Sequence, residues 1–448
     1  MTSDLQNHVE YIEKLIEEKN YSLLKESIKG HPADIADLMD ELEPLKRILI
    51  FRLLQKDDAV EIFEHLDIES QSELLSRFHD ERTVSIVNEM SPDDRASLFD
   101  ELPAKVIKEL LMRMTPDEWK ATSEILGYEE NTAGRIMTPE YVDLKRNLTV
   151  EEAIQRIKRI GKDKETIYYL YPIDETRHLL GVVSLKHIVL AQPETKILDI
   201  MDTEVIKVTT DDDQEEVARI IKDYDLLAVP VVDKEGRLVG IVTVDDVVDV
   251  IEEEATEDML RMGGVEVAEK GYFKSSLINN VRKRIIWLFL MLAINTFTGI
   301  IILGQKKLLE GVIVLSAFIP ILIGSGGNAG SQSATVVIRG LAIGEIELRD
   351  AFRILARESW IGIGLGILLG IAATLWAYWL QGDWTISAVV GLSFIVVIFL
   401  ATTLGTFLPL LVKKIGLDPA LIATPLITTT IDVTALALYF WIAATILG

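Results

Sequence analysis

The chain has 448 residues, no cysteine and a formal net charge of −25. From Val281 onward there are 8 acidic and 11 basic residues, a net of +3, which leaves residues 1–280 at −28. So acidic a half is unsuited to nucleic acid or an anionic membrane surface, and the lack of cysteine excludes disulfides, thiolate metal sites and cysteine nucleophiles. The first residues, M-T-S-D-L-Q-N-H, have neither a basic nor an apolar leader region, so no signal peptide is expected.

Residues 1–127 carry a repeat of 24 residues. Leu42, Leu66, Met90 and Met114 each end an apolar helical stretch, and a turn follows: Glu43-Pro44, Asp67-Ile68-Glu69, Ser91-Pro92-Asp93-Asp94 and Thr115-Pro116-Asp117-Glu118. Ser or Thr, then proline, then two acids is an N-cap, a first-turn proline and charge matched to the helix dipole. The repeat predicts a small α-solenoid, a scaffold that binds or braces. His31, His65 and His79 lack metal-ligand spacing.

Residues 128–254 contain a duplication, with copies at about 134–197 and 198–254. Ile136-Met137 recurs as Ile200-Met201, and Gly181-Val-Val-Ser-Leu-Lys-His recurs as Gly240-Ile-Val-Thr-Val-Asp-Asp. Each copy reads as an extended run, a helix (Thr149 to Ile160; Asp213 to Tyr224), two strands and a final helix. The strands are expected at Ile167 to Ile173 with Leu180 to Ser184, and at Ala228 to Val232 with Leu238 to Thr243. Asp233-Lys234-Glu235-Gly236 between the last two is a hairpin signal. This order resembles a tandem CBS (cystathionine-β-synthase) domain pair, a regulatory α/β module that often binds adenosine nucleotides. There a Ser or Thr and an Asp three residues on flank the ribose. The second copy has Thr243 and Asp246, whereas the first has Ser184 and then His187 in place of the acid, which speaks against ATP in that copy.

Acidic density is the clearer signal. The run from Asp245 to Asp258 holds eight acids and no base, and as a helix it aligns Asp246, Asp249, Glu253 and Glu257 on one face. Asp211-Asp212-Asp213, Glu215-Glu216, Asp223 and Asp225 add further carboxylates. Such a surface is either simply solvated or closes only when divalent cations screen it.

Residues 255–282 form a connecting stretch, loosened by Gly263-Gly264 and Gly271 and basic at Lys274, Arg282, Lys283 and Arg284. Residues 283–448 predict five spans, at about 285–304, 311–338, 360–380, 386–412 and 419–446. Arg282, Lys283 and Arg284, Arg339, Arg349, Arg353 and Arg357, and Lys413-Lys414 fall on one side, with Lys306-Lys307 and Asp383 on the other. The positive-inside rule then places the acidic half in the cytoplasm and the C-terminus outside.

Two polar features lie within the spans. Pro320 to Thr335, P-I-L-I-G-S-G-G-N-A-G-S-Q-S-A-T, combines glycines with Asn328, Gln332 and hydroxyls; it is either a close helix-packing face or a polar lining. Asp432 stands mid-span with no Lys or Arg in its own span, which costs at least ~2.5–3.5 kcal/mol on insertion scales unless water or another helix receives it. Glu358 is placed at the interface, and Asp418-Pro419-Ala420 opens the fifth span. The absence of histidine and cysteine in the spans argues against zinc or copper, and no nucleophile–base set or phosphate loop suggests an enzyme. A CBS-regulated anion channel would want cationic groups mid-membrane, where Asp432 stands instead.

With GSGGNAGSQSAT, the D-P-A…P-L-x-T-T-x-x-D span and the Y-E-E…A-G-R-I-M-T-P-E-Y junction in order, the chain resembles the MgtE family of bacterial magnesium channels over nearly its whole length. The resemblance implies a multidomain membrane protein: α-solenoid N domain, tandem CBS pair, connecting helix and five spans. It implies a homodimer in the cell (inner) membrane, conducting hydrated Mg2+ on its two-fold axis near Asp432. Asn328 and Gln332 would lie on an oxygen-rich turn, Thr428 beside the acid, and Asp418 at the cytoplasmic mouth. Closure by cytosolic Mg2+ would draw on Asp93, Asp213, Glu215, Asp225, Asp246, Asp249, Glu254, Glu257 and Asp258. Co2+, Mn2+ and Ni2+ accept the same octahedral oxygen shell, so a less selective divalent cation transporter is the alternative. Ala423-Thr424 replaces the family's usual Ser-Asn, and Ser97 stands where a second N-domain acid is expected.

Overall fold

The computed structural model describes residues 3–77, 81–102, 104–265, 277–421 and 424–447. His79, Ala423 and the part of the connecting stretch holding Gly271 and Lys274 lie outside the described residues. The chain divides into two units, Met1–Ile251 and Glu252–Gly448.

In the first unit the 24-residue period becomes successive pairs of helices. Helices Pro44–Leu53, Ile68–Arg77, Pro92–Glu101 and Pro116–Ile125 begin one period apart, each preceded by a partner (Pro32–Asp40, Lys56–His65, Glu81–Glu89, Ala104–Leu111). Proline supplies three of the four starts, because its fixed φ suits the first turn and its missing N–H is not needed there. Thr115 caps its helix through Glu118 N at 3.4 Å. Ser91 does not cap through the backbone; its hydroxyl donates instead to Asp94 Oδ2 at 2.7 Å.

Two side-chain ladders stitch the pairs together. Asp40, Glu64 and Asn88, one period apart, accept from the backbone N–H of Asp67, Ser91 and Thr115 at 3.1, 3.2 and 3.2 Å. Arg47, Gln71 and Arg95 lie buried at equivalent positions and donate to helix-end carbonyls, Met39 O at 2.8 Å, Phe63 O at 2.7 Å and Met90 O at 2.5 Å. Each satisfies carbonyls that a helix end leaves open.

The duplicated module gives two three-stranded sheets of one topology. In the first copy β1 (Asp143–Lys145) runs parallel to β2 (Tyr169–Ile173), which pairs antiparallel with β3 (Val183–Ser184). In the second, β4 (Val208–Thr209), β5 (Ala228–Val232) and β6 (Leu238–Thr243) repeat the order. The hairpin turn forms as its residues demand, with Gly236 at φ 83° and Asp233 Oδ1 accepting from Glu235 N and Arg237 N. Strand β3 is shorter than the hydrophobic run suggests. Val182 exchanges hydrogen bonds with Asp202 instead, and a Cβ on Gly181 would stand 2.7 Å from Asp202 O.

Among the described residues, the second unit contains five helices long and apolar enough to cross a membrane: Asn280–Gly304, Val314–Ala342, Leu348–Gln381, Trp384–Lys414 and Thr424–Leu447. Spans two, four and five share a core of Leu315, Phe318, Leu322, Val390, Phe394, Tyr439 and Phe440. One expectation is corrected. The polar stretch of span two is unbroken helix through Pro320, so Asn328 and Gln332 stand on a helix and on no turn. Its glycines serve close packing: a Cβ on Gly405 of span four would lie 2.2 Å from Gly330 O. The helix of span three starts ahead of its apolar core, so Glu358 lies on the helix Ala351–Gln381, where it accepts from Ser333 Oγ of span two at 2.8 Å.

Candidate cation sites

In the membrane unit, Asp432 lies two turns into the last helix, half-buried. It faces span two where that helix has no side chain: a Cβ on Gly327 would be 3.5 Å from Asp432 Oδ1 and 3.5 Å from Thr428. Glycine there leaves room beside the carboxylate, and among the described residues no cation pairs with it. Thr428 spends its hydroxyl proton on Pro425 O at 3.0 Å, leaving its lone pairs as acceptors. Asn328, the residue after Gly327, is exposed on span two, and no hydrogen bond joins it to Asp432.

Asp418 precedes the short turn Pro419–Leu421 and accepts from Ala420 N at 2.8 Å through Oδ1. Its Oδ2 accepts from Arg261 Nη1 at 2.6 Å. Arg261, on the acidic helix Val244–Met262, also forms an ion pair with Glu257. Burial and then the like charges of Asp418 and Glu254 push Asp258 up to about 6. Burial likewise raises Glu257, against the pull of Arg261. Next to Arg261, Met262 packs against the apolar cluster of Ala334, Ile338, Ala401, Ala420, Ile427 and Ile431. Arg261 is a residue the acid-rich reading of this helix passed over.

In the soluble unit, five carboxylates come together from four separate segments: Glu64, Asp93 and Asp94 of the solenoid, Glu165 of the first copy and Asp246 of the second. Asp93 is 7 % exposed and its Oδ1 has no hydrogen-bond partner. Burial, then Asp246, Asp94 and Glu165, raises it well above the usual carboxylate range. Glu64 and Glu165 are each pushed up to about 7 by burial followed by carboxylate neighbours, and Asp246 to about 6 by burial despite its bond from Thr243. Asp94 is raised by burial, with Asp249 and Asp245 adding to it and His65 opposing.

The other sequence candidates are dispersed. Asp213 caps helix Gln214–Asp223 through Glu215 N at 2.9 Å, while Asp225, at φ 51°, lies beyond the far end of that helix. Thr243 Oγ1 donates to Asp246 Oδ2 at 2.5 Å, so the two residues that would flank a ribose are bonded to each other. Among the described residues no three His, Asp or Glu side chains are placed to hold one metal ion directly. Glu64, Asp94 and Glu165 escaped the sequence reading because only the fold brings them to Asp93 and Asp246.

A helical solenoid and a tandem α/β pair, followed by five helices long and apolar enough to cross a membrane, give the layout of a multi-pass membrane protein with a large extramembrane part. Residues 319–442 match the MgtE divalent cation transporter family, residues 30–131 the MgtE intracellular N domain, and residues 133–194 and 197–253 the CBS domain. The chain is 40% identical to the magnesium transporter MgtE of Thermus thermophilus over 97% of its own length and 98% of that protein's. It is 35% identical to that of Bacillus subtilis, over 92% and 94%. The cytosolic domain of the Mg2+ channel MgtE, solved in complex with ATP, matches with 41% identity and a TM-score of 0.51, over 54% of this chain and 99% of that one. The soluble part of a magnesium transporter matches with 32% identity and a TM-score of 0.52, over 56% and 99%. The chain belongs to the MgtE family, whose members are transporters and not enzymes.

Proposed function

We propose that the chain is a Mg2+-selective channel, working as a homodimer in the cell membrane and closed by cytosolic Mg2+. The observation that carries the conducting role is Asp432, a mid-span carboxylate with no counter-ion among the described residues, opposite Gly327 and beside Thr428. Mg2+ keeps most of its water, so it needs few charges and several acceptors for those waters rather than a tight cage. One carboxylate per subunit, met across a two-fold axis, meets that demand. Names of relatives and of the solved cytosolic domain support magnesium as the ion. The basic residues flanking the spans favour a cytoplasmic soluble unit and an outside C-terminus.

Closure is assigned to the carboxylates around Asp93 and Asp246 and to Glu254, Glu257, Asp258 and Asp418, with Asp213, Glu215, Asp225 and Asp249 as further cation contacts. Without divalent ions these groups repel; with them they draw together, biasing a two-state element by differential ion affinity. Several weak sites acting together supply the ~5.5 kcal/mol that reverses a 100:1 population. ATP is a second ligand to test, since a similar cytosolic domain was solved with it, and Thr243 and Asp246 are the residues to vary.

The deciding experiment is flux into proteoliposomes with Asp432→Asn, which keeps volume and removes charge. Mg2+ flux should fall at least tenfold, with Co2+, Mn2+ and Ni2+ run in parallel to read selectivity. Mutant flux at the wild-type rate would sink the assignment.

A further inference from the structure

The side-chain ladders of the solenoid change character at their last rung. Counting on by one period of 24 residues, Asp40, Glu64 and Asn88 lead to Met112, and Arg47, Gln71 and Arg95 lead to Trp119. Polar rungs reach into the repeat that follows. Asn88 Oδ1 accepts from Thr115 N at 3.2 Å, Arg47 Nη1 donates to Glu73 Oε2 at 3.3 Å, and Arg95 Nη2 donates to Glu118 Oε2 at 2.7 Å. Met112 and Trp119 have no following repeat to reach. Arg47 and Arg95 are 7 % and 0 % exposed, whereas Met112 is 70 % and Trp119 48 % exposed.

A groove opens at this rung. Ile107, Lys108, Leu111, Met112 and Trp119 line a cleft of about 340 Å3 between helix Ala104–Leu111 and the start of helix Pro116–Ile125. The junction to the α/β pair occupies the other end of that second helix, where Arg135 donates to Ile125 O at 3.3 Å. A solenoid ordinarily closes with a polar face, because an uncapped stack leaves its core in water. Here the closing face is apolar, and it continues the surface by which each repeat receives the next. Charge narrows the choice of occupant. Lys108 is exposed, has no ion-pair partner among the described residues, and is the one charged group in the lining. Glu118, next to Trp119, is already held by Arg95.

We infer that this groove docks an amphipathic helix of a partner protein, laid where a helix of a further repeat would stack. Such a helix brings apolar residues at i, i+3 or i+4, and i+7, with a carboxylate at their edge for Lys108. Its outer face is basic, which suits a surrounding unit this acidic; an anionic bilayer is repelled by the same charge. Since the ladder's hydrogen bonds are missing at this rung, apolar contact and one charge pair hold the helix, and it can come and go. The seat is separate from the carboxylates proposed above to bind cations.

The test uses the full chain in nanodiscs and a synthetic helical peptide of about four turns, with leucines on one face, a glutamate at their edge and lysines outside. Hydroxyl-radical oxidation of Met112, read by mass spectrometry, should run without peptide at nearly the rate of the unfolded chain and slow about tenfold at saturation. By fluorescence anisotropy, a scrambled peptide of the same composition should bind at least about tenfold more weakly, and Trp119→Ala should cost as much for the intended one. Lys108→Glu should reverse the preference, favouring a peptide with lysine at the edge. Leu45→Ser, at an exposed position elsewhere in the solenoid, should change nothing. If Met112 is already shielded before peptide is added, a second copy, the bilayer or the chain itself covers the groove, and the inference fails. It fails equally if the scrambled peptide binds as well, or if Trp119→Ala leaves the affinity unchanged.

Discussion

At Arg261 a single cation holds two carboxylates, Glu257 on its own helix and Asp418 beside the last span. Both partners are about one-third exposed, so the bond to Asp418 is worth about 1 kcal/mol after solvent screening. Arg261→Gln should therefore loosen the end of helix Val244–Met262, where Gly263 N, Gly264 N and Val265 N donate to Met259 O, Arg261 O and Leu260 O. Exchange of those three amides should quicken about fivefold, the factor that ~1 kcal/mol gives. An unchanged rate would mean that Met262 against its apolar cluster suffices to hold the helix end. The acids of this helix were legible as a charge pattern. The role of its lone basic residue near the end was not, because it depends on Asp418, far along the chain.

Among the elements, the solenoid shows how a repeat is enforced. Its period came from prolines and apolar spacing, yet the ladder of Asp40, Glu64 and Asn88 locks one pair to the next. Asn88→Ala removes the acceptor for Thr115 N and should cost about 1 kcal/mol, lowering the melting temperature of a unit this size by about 2–4 °C. Glu64→Gln can still accept from Ser91 N while losing a charge beside Asp94, so without divalent ions it should melt no lower than wild type. The same position thus serves packing in one repeat and charge in another. Span two carries a parallel lesson. Its glycines suggested an irregular polar lining, and the helix stayed whole because Gly330 and Gly405 let spans two and four approach closely. Gly327, opposite Asp432, leaves space beside the acid proposed to meet the ion.

For the whole molecule, the raised carboxylates make stability depend on pH in an unusual direction. Glu64 and Glu165 titrate near 7 in the folded chain, against about 4.3 for an unperturbed glutamate, so between those values the folded state binds more protons than the unfolded one. Stability from these groups is fully present below about pH 4 and is lost as pH rises through about 7. Melts in EDTA should therefore show the soluble unit losing stability from pH 5 to 8, on the order of 1 kcal/mol, and added Mg2+ should flatten the profile. A melting temperature that rises over this range in EDTA would contradict the clustering of the five acids.

The sequence by itself determined the elements and their order, because these rest on local physics. Proline and capping residues start helices, Asp233 to Gly236 closes a hairpin, runs of apolar residues are long enough to cross a bilayer, and an acid inside such a run stands out. What met across the chain was decided only by tertiary structure. Glu64, Asp93, Glu165 and Asp246 come from four segments whose spacing carries no period, and Arg261 reaches Asp418 over a separation of 157 residues. A carboxylate's sign can be read from sequence, but Coulomb energy depends on distance and burial, and both are set by the packing of elements that are remote in the chain.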